Sequence, residues 1–250
     1  MFLFEKTYDI DEIVKNNTHT HTNFSRCASA EMTLIDMIKV SENAGMSTLA
    51  ITDHSNLDDG IDLLADTLEL RRQLSEIETP VKVLIGSELS CYGIDKYSEP
   101  TEICDQLDYR NYSCNHFHLK YWDQPEDRSP RGYAEHLLKV MYTLINSGRA
   151  DCIAHPFTPS KMKFFDTEER LKYLNSFTDN EIGDIMEAAE KAECAWEFHS
   201  RSFISFPDFF RKFYFIGKEV GVHFNFGTDA HHLGELSSTQ FAEIIKNILF

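Results

Sequence analysis

Seven β-prone runs that alternate with helix-patterned stretches predict an α/β fold whose parallel strands close into a barrel. Two further features support closure. Several runs, such as STLAIT (47–52) and VKVLIG (81–86), are almost continuously apolar, as strands buried on both faces are. Residues able to carry chemistry also gather at the C-terminal ends of the runs, which is where the mouth of a TIM-like (β/α) barrel lies.

The runs fall at residues 17–21, 48–53, 81–88, 112–116, 151–155, 194–198 and 222–229. The first helix is expected over 32–44, where Leu34, Ile35 and Ile38 mark one face and Gly45 is placed to cap the C-terminus. Helices follow at 61–77, at 133–146 with Gly148 beyond its end, and at 180–192, 207–220 and 240–249. The stretch 91–111, rich in Tyr, Asp and Glu, reads as a loop insertion, and 161–177 as a loop holding a short helix. No repeat or low-complexity tract interrupts the pattern, so 1–250 is expected to form one domain.

Composition narrows the class. Hydrophobic residues make up 42% of the chain, with 19 Phe, which is too apolar and aromatic for a disordered protein. No apolar run approaches the roughly 20 residues of a membrane helix. The opening MFLFEKTYDIDE meets acidic residues early and lacks a basic stretch, unlike a signal peptide, so a cytoplasmic protein is expected. The six cysteines include no CxxC pair and read as reduced thiols. With 24 Lys+Arg against 41 Asp+Glu, the net charge of −17 opposes a sequence-independent grip on nucleic acid. It would also repel a small phosphorylated substrate, unless bound metal reversed the field locally.

The strand ends supply the ligands for such metal. They read His19-Thr20-His21, Thr52-Asp53-His54, Gly86-Ser87-Glu88, Asn115-His116-Phe117-His118, Ala154-His155-Pro156 and Gly227-Thr228-Asp229-Ala230-His231. Residues i and i+2 of a strand point to one side, so paired histidines can reach one ion. A single histidine at a strand end has an ordinary explanation as a cap or packing group. Six strands ending in His, Asp or Glu do not. Imidazole and carboxylate with few thiols suit Zn, Mn or Fe rather than an iron–sulfur cluster. His136 (within a helical pattern and expected on the surface), His223 and His232 fall outside this pattern, and His199, just past the sixth run, can face the site or cap.

In this order HTHT, TDH, GSEL, NHFH, AHP and GTDAH resemble the successive metal motifs of the PHP (polymerase and histidinol phosphatase) superfamily, and they cover positions 19 to 231. The resemblance implies a distorted seven-stranded barrel holding two or three divalent ions (Zn, Fe or Mn). By it, His19, His21, Glu88 and Asp229 bind the first ion, and Glu88 bridges to a second held by His116 and His155. His54, His231 and the residue eight positions after His19 take a third; that residue is usually His in the histidinol-phosphatase branch and is Cys27 here. A thiolate binds zinc at about 2.3 Å, so Cys27 is retained as a ligand.

The activity expected is hydrolysis of a small phosphomonoester, histidinol phosphate being one candidate, by a hydroxide that the ions generate and that attacks phosphorus in line. Asp53 is the candidate to orient a ligand imidazole or move a proton. Arg201, His199 and Lys161 are the candidates to hold substrate. AHPFTPSKMKFF, after the fifth run, is closer to generic PHP phosphoesterases than to the histidinol-phosphatase branch. The alternatives are a nuclease or nucleoside-bisphosphate phosphatase of the same superfamily, which calls for a basic path that a −17 chain does not advertise, and a non-catalytic metal-binding module. The oligomeric state is not indicated.

Overall fold

A computed structural model describes residues 2–57 and 60–250. The seven barrel strands are β1 (Asn16–Asn17), β2 (Thr48–Ile51), β4 (Lys82–Gly93), β6 (Tyr109–Ser113), β7 (Cys152–Ile153), β8 (Ala195–His199) and β9 (Phe224–Gly227). All pair in parallel, and the ladder closes where Asn17 of β1 meets Phe226 of β9. Two short strands lie off the ring: β3 (His54–Ser55) runs parallel to the upper part of β4, and β5 (Lys96–Tyr97) folds back antiparallel on its end.

The helices between strands are α2 (Leu34–Asn43), α3 (Leu63–Leu74), α5 (Pro130–Ser147), α6 (Thr167–Asn175), α7 (Asp179–Lys191), α9 (Pro207–Val220) and α10 (Ala242–Leu249); α1 (Ile10–Ile13), α4 (Thr101–Cys104) and α8 (Ser200–Ser205) are short. Their ends follow the sequence signals. Thr33 caps α2 by accepting from the Asp36 N–H, and capping boxes begin α6 and α7 at Asp166 and Thr178. Gly45 and Gly148, beyond α2 and α5, both take φ +66°, the left-handed turn that glycine adopts without steric cost.

Three expectations need correction. The stretch 91–111 is not a loop insertion: it holds the end of β4, the hairpin to β5, α4 and the first residues of β6. Its polar residues mark an edge that faces water on one side, a pattern easily read as loop. Second, β1 has two residues and β6 ends at Ser113, so His19, His21, His116 and His118 lie beyond the ladder and not within it. An isolated bridge between Thr20 and Ala230 carries the β1 edge onward. Third, His136 is half-buried and not on the surface, its ring 5.9 Å from that of Phe117.

The phenylalanines are used where the last strands meet their helices. Phe198 stacks on Phe203 at 3.8 Å, and Phe157, Trp196 and Phe213 are mutually in contact with no exposure. Aromatic pairs of this kind add about 0.5–1.5 kcal/mol each beyond the area they bury. The barrel's lower end is filled by Ala50, Leu84, Tyr109, Cys152 and Ala195, with Phe2 and Leu3 packed against them. The floor is therefore sealed, and the polar side chains sit at the opposite rim.

Candidate metal centre at the barrel mouth

Glu88, near the middle of the long strand β4, is the hub. Its side chain is 2% exposed, and its two oxygens face different neighbours. Oε2 lies 3.4 Å from His19 Nε2, 3.7 Å from His21 Nε2 and 2.8 Å from His54 Nδ1. Oε1 lies 2.8 Å from His155 Nε2 and 3.5 Å from His116 Nε2. Asp229 approaches from the other side, its Oδ1 3.0 Å from His21 Nε2 and 3.6 Å from His19 Nε2. Three groups able to hold a cation result: His19, His21, Glu88 and Asp229; Glu88, His116 and His155; and His21, His54 and His231.

These separations test whether an ion fits. Two donors about 2.1 Å from one tetrahedral ion stand about 3.4 Å apart, beyond a good hydrogen bond. His19, Glu88, Asp229 and His116 show spacings of 3.4–3.6 Å. His19 Nε2 and His116 Nε2 are also buried without a hydrogen-bond partner among the described residues, which is costly unless the nitrogen serves another purpose. The residues present fit a divalent cation, and the cluster supports divalent-metal binding.

The imidazoles are oriented from behind. His231 Nδ1 lies 2.8 Å from the carbonyl oxygen of Asp229; a carbonyl only accepts, so Nδ1 carries the proton and Nε2 keeps its lone pair. His19 Nδ1 lies 2.7 Å from Glu197 Oε1, and the same reasoning leaves His19 Nε2 free. Charge follows this arrangement. Burial pushes the Glu88 and Asp229 carboxyls up, but His54 and His19 for the first and His19 and His21 for the second more than offset it, holding both well below the usual carboxylate range. Burial pushes His21 and His116 well down. At His19 and His54 burial is outweighed by neighbouring carboxylates, chiefly Glu197 for the first and Glu88 for the second, so both are shifted up and must give up a proton for an ion to bind. Ionised carboxylates beside neutral imidazoles are the forms that bind metal.

Of the residues singled out in the sequence, His19, His21, His54, Glu88, His116, His155, Asp229 and His231 come together here. Cys27 stands at the edge, exposed, lining the same cavity as His231 and His54 but outside the group of donors that those two form with His21. Burial of the sulfur acts upward, but those two histidines bring the thiol down to about 6.

Asp53 lies behind the cluster. Its carboxylate accepts from the Thr22 N–H at 2.7 Å and from the Thr22 and Ser25 hydroxyls at 2.6 Å each, all on the loop after β1. Ser25 Oγ in turn accepts from the His54 N–H and lies 3.5 Å from His21 Nδ1. Asp53 thus holds the loop whose Ser25 bears on both His54 and His21. Arg201 is exposed and pairs with Glu235 Oε2 at 2.7 Å, the same oxygen that accepts the His231 N–H, so a carboxylate already engages its guanidinium. His199 is buried beside the cluster, its Nδ1 2.7 Å from Ser202 Oγ and its Nε2, without a hydrogen-bond partner among the described residues, 3.8 Å from Asp229 Oδ2.

Above the cluster opens a cavity of about 220 Å³ lined by Arg26, Cys27, His54, Asn56, His116, His118, Leu119, Lys161 and His231. Lys161 is there as expected. Arg26 faces the same space, and among the described residues neither cation has a carboxylate partner. Glu197 is the residue that sequence reading missed. It lies inside AWEFH, an aromatic strand with no histidine pair to flag it.

A closed parallel barrel with a His/Asp/Glu cluster at its C-terminal mouth defines a metal-dependent hydrolase scaffold. The sequence profile of the PHP domain matches residues 17–192, and the chain belongs to that family. A probable phosphatase of Aliivibrio fischeri is 26% identical over 234 residues, covering 90% of this chain and 82% of that protein. The crystal structure of histidinol phosphate phosphatase from Lactococcus lactis, in complex with zinc, L-histidinol and phosphate, has the same fold, with a TM-score of 0.63 at 18% identity over 94% of this chain and 93% of that one. The profile stops before Asp229 and His231, yet the barrel returns both to the cluster. Among the described residues no helix is long and apolar enough to cross a membrane.

Proposed function

We propose that the chain is a metal-dependent phosphatase acting on a small phosphomonoester, with histidinol phosphate among the candidates. The observation that carries this reading is the single carboxylate, Glu88, shared by adjoining ligand groups beneath a cavity with two unpaired cations. His19, His21, Glu88 and Asp229 would hold one divalent ion and Glu88, His116 and His155 a second. A third would lie between His54, His231 and Cys27, with His21 alongside. Zinc, iron and manganese all suit these donors. Bound there, such ions supply a nucleophile from water near neutral pH and neutralise charge on the phosphoryl group.

The chain's own residues do the rest. Arg26 and Lys161 flank the cavity and orient an anionic phosphoryl group toward the cluster. His118, exposed at the rim, offers a ring N–H to the departing oxygen. Burial holds its pKa down to about 4, with Lys161 and Lys163 adding to the effect, so the ring is neutral and donates without competing for the cations. The 220 Å³ cavity suits a small monoester and leaves no room for a polymer. Glu88, Asp229 and the imidazoles together exclude bulk water from the cluster, since all but His54 and His231 are buried.

The test joins metal analysis of the purified protein to a phosphatase screen that includes histidinol phosphate and nucleotides. Two or three equivalents of divalent metal and turnover of one monoester are expected, with Asp229→Asn losing that turnover. Full activity in Asp229→Asn would overturn the reading.

A further inference from the structure

We infer that Glu197 is a positioning residue that sets two of the proposed metal sites at once, by fixing the His19 ring in one and the His155 backbone in the other. The inference rests on the metal-centre reading and assigns a role within it to a residue that touches neither ion nor substrate.

Glu197 lies in β8 with no exposure, and both its oxygens are used. Oε1 accepts from His19 Nδ1 at 2.7 Å, and Oε2 accepts the backbone N–H of His155. A carboxylate buried this deeply is costly unless paired, so an apolar residue would serve a purely structural strand better. What the pairing achieves is specific. With the proton on Nδ1, His19 can present only Nε2, and that atom faces Glu88 Oε2 and Asp229 Oδ1.

The second contact acts on the backbone. His155 sits at φ +29°, a region a non-glycine residue occupies only when its surroundings impose it. In that conformation its ring turns back to place Nε2 2.8 Å from Glu88 Oε1. The N–H held by Glu197 is one of the bonds that impose it. Glu88 and Glu197 therefore grip the same two histidines from opposite sides, one from within the cluster and one from behind it.

Gly227 at the end of β9 makes room for this. A Cβ there would overlap Glu197 Oε1 and lie 2.8 Å from His19 Cβ, although the glycine's own backbone does not require positive φ. The missing side chain is thus a matter of space, and the space is filled by the Glu197–His19 pair.

The experiment titrates metal-free wild type, Glu197→Gln and Gly227→Ala with zinc against a chromophoric chelator, after circular dichroism and thermal melting establish folding. Glutamine keeps the shape, yet its amide N–H₂ cannot accept the His155 N–H while its oxygen accepts from His19. Both variants are expected to bind zinc roughly 10–100-fold more weakly than wild type. Wild-type affinity in Glu197→Gln overturns the inference and leaves the metal centre standing. A wild type that takes up no zinc overturns the metal centre itself. Should Glu197→Gln not fold, long-range ¹H–¹⁵N correlation of zinc-loaded wild type decides: a proton on His19 Nδ1 supports the role, and a proton on Nε2 removes it.

Discussion

Asp53 commits both carboxylate oxygens to one loop, and its role follows from that rather than from its place beside His54. Asp53→Asn leaves at least one of the three donors of Thr22 and Ser25 without a good acceptor, a buried loss of about 1–3 kcal/mol. Urea unfolding should show that decrease, and an unchanged midpoint would mean the loop is held elsewhere. Cys27 makes a different prediction. If its thiolate binds the third ion, cobalt-substituted protein shows a sulfur-to-cobalt charge-transfer band that vanishes in Cys27→Ser, with one metal equivalent lost. A retained band and an identical count remove Cys27 from the site. The ligand histidines were legible in the sequence because each stands at the end of an apolar run. Glu197 was not, since a glutamate between Trp196 and Phe198 looks like the outward-facing member of an alternating strand. Arg201 could be singled out by its nearness to a strand end, but its pairing with Glu235, 34 positions further on, is a tertiary contact that no local pattern shows.

At the level of elements, the order of strands and helices could be read almost throughout, and their ends could not. The helix α9, from Pro207 to Val220, matches expectation residue for residue, because proline at the start and Gly221 at the end are local signals. Strand ends depend on partners far away: β1 is defined by its pairing with Thr48 and Leu49 of β2 and Phe226 of β9, none of them near it in sequence. The 91–111 stretch failed for the same reason, as β5 exists only through its pairing with β4. A local signal also makes a quantitative prediction. Gly148 holds φ +66° beyond α5, so Gly148→Ala should cost about 1 kcal/mol. For a chain of this size the melting temperature then falls by roughly 2–4 °C, measured by calorimetry.

For the whole molecule, the charge of −17 governs how a phosphate reaches the mouth. Divalent ions bound there would reverse the field within the cluster, but the exterior stays acidic, so a dianionic substrate would be repelled at long range and attracted only near the rim. Raising ionic strength from about 10 to about 150 mM shortens the screening length from about 30 to about 8 Å, and kcat/KM for such a substrate should rise. A fall would mean that Arg26 and Lys161 dominate approach. Metal removal is the second global test. Ions that bind only the folded chain add about 2.7 kcal/mol at a free concentration 100-fold above Kd, so chelation should lower the melting temperature by several degrees.

The seam between β1 and β9 ties the centre to the order in which the chain is made. His19 and Asp229 stand 3.6 Å apart across it, though 210 positions separate them in sequence. During synthesis the early ligands, from His19 to His155, leave the ribosome well before the strand that completes their set. Until β9 docks, the half-built cradle lacks Asp229 and His231 and offers an ion an open, low-affinity surface. A metal bound at this cluster would therefore act as a latch on a finished barrel, and a chain truncated before residue 229 is expected to bind it more weakly.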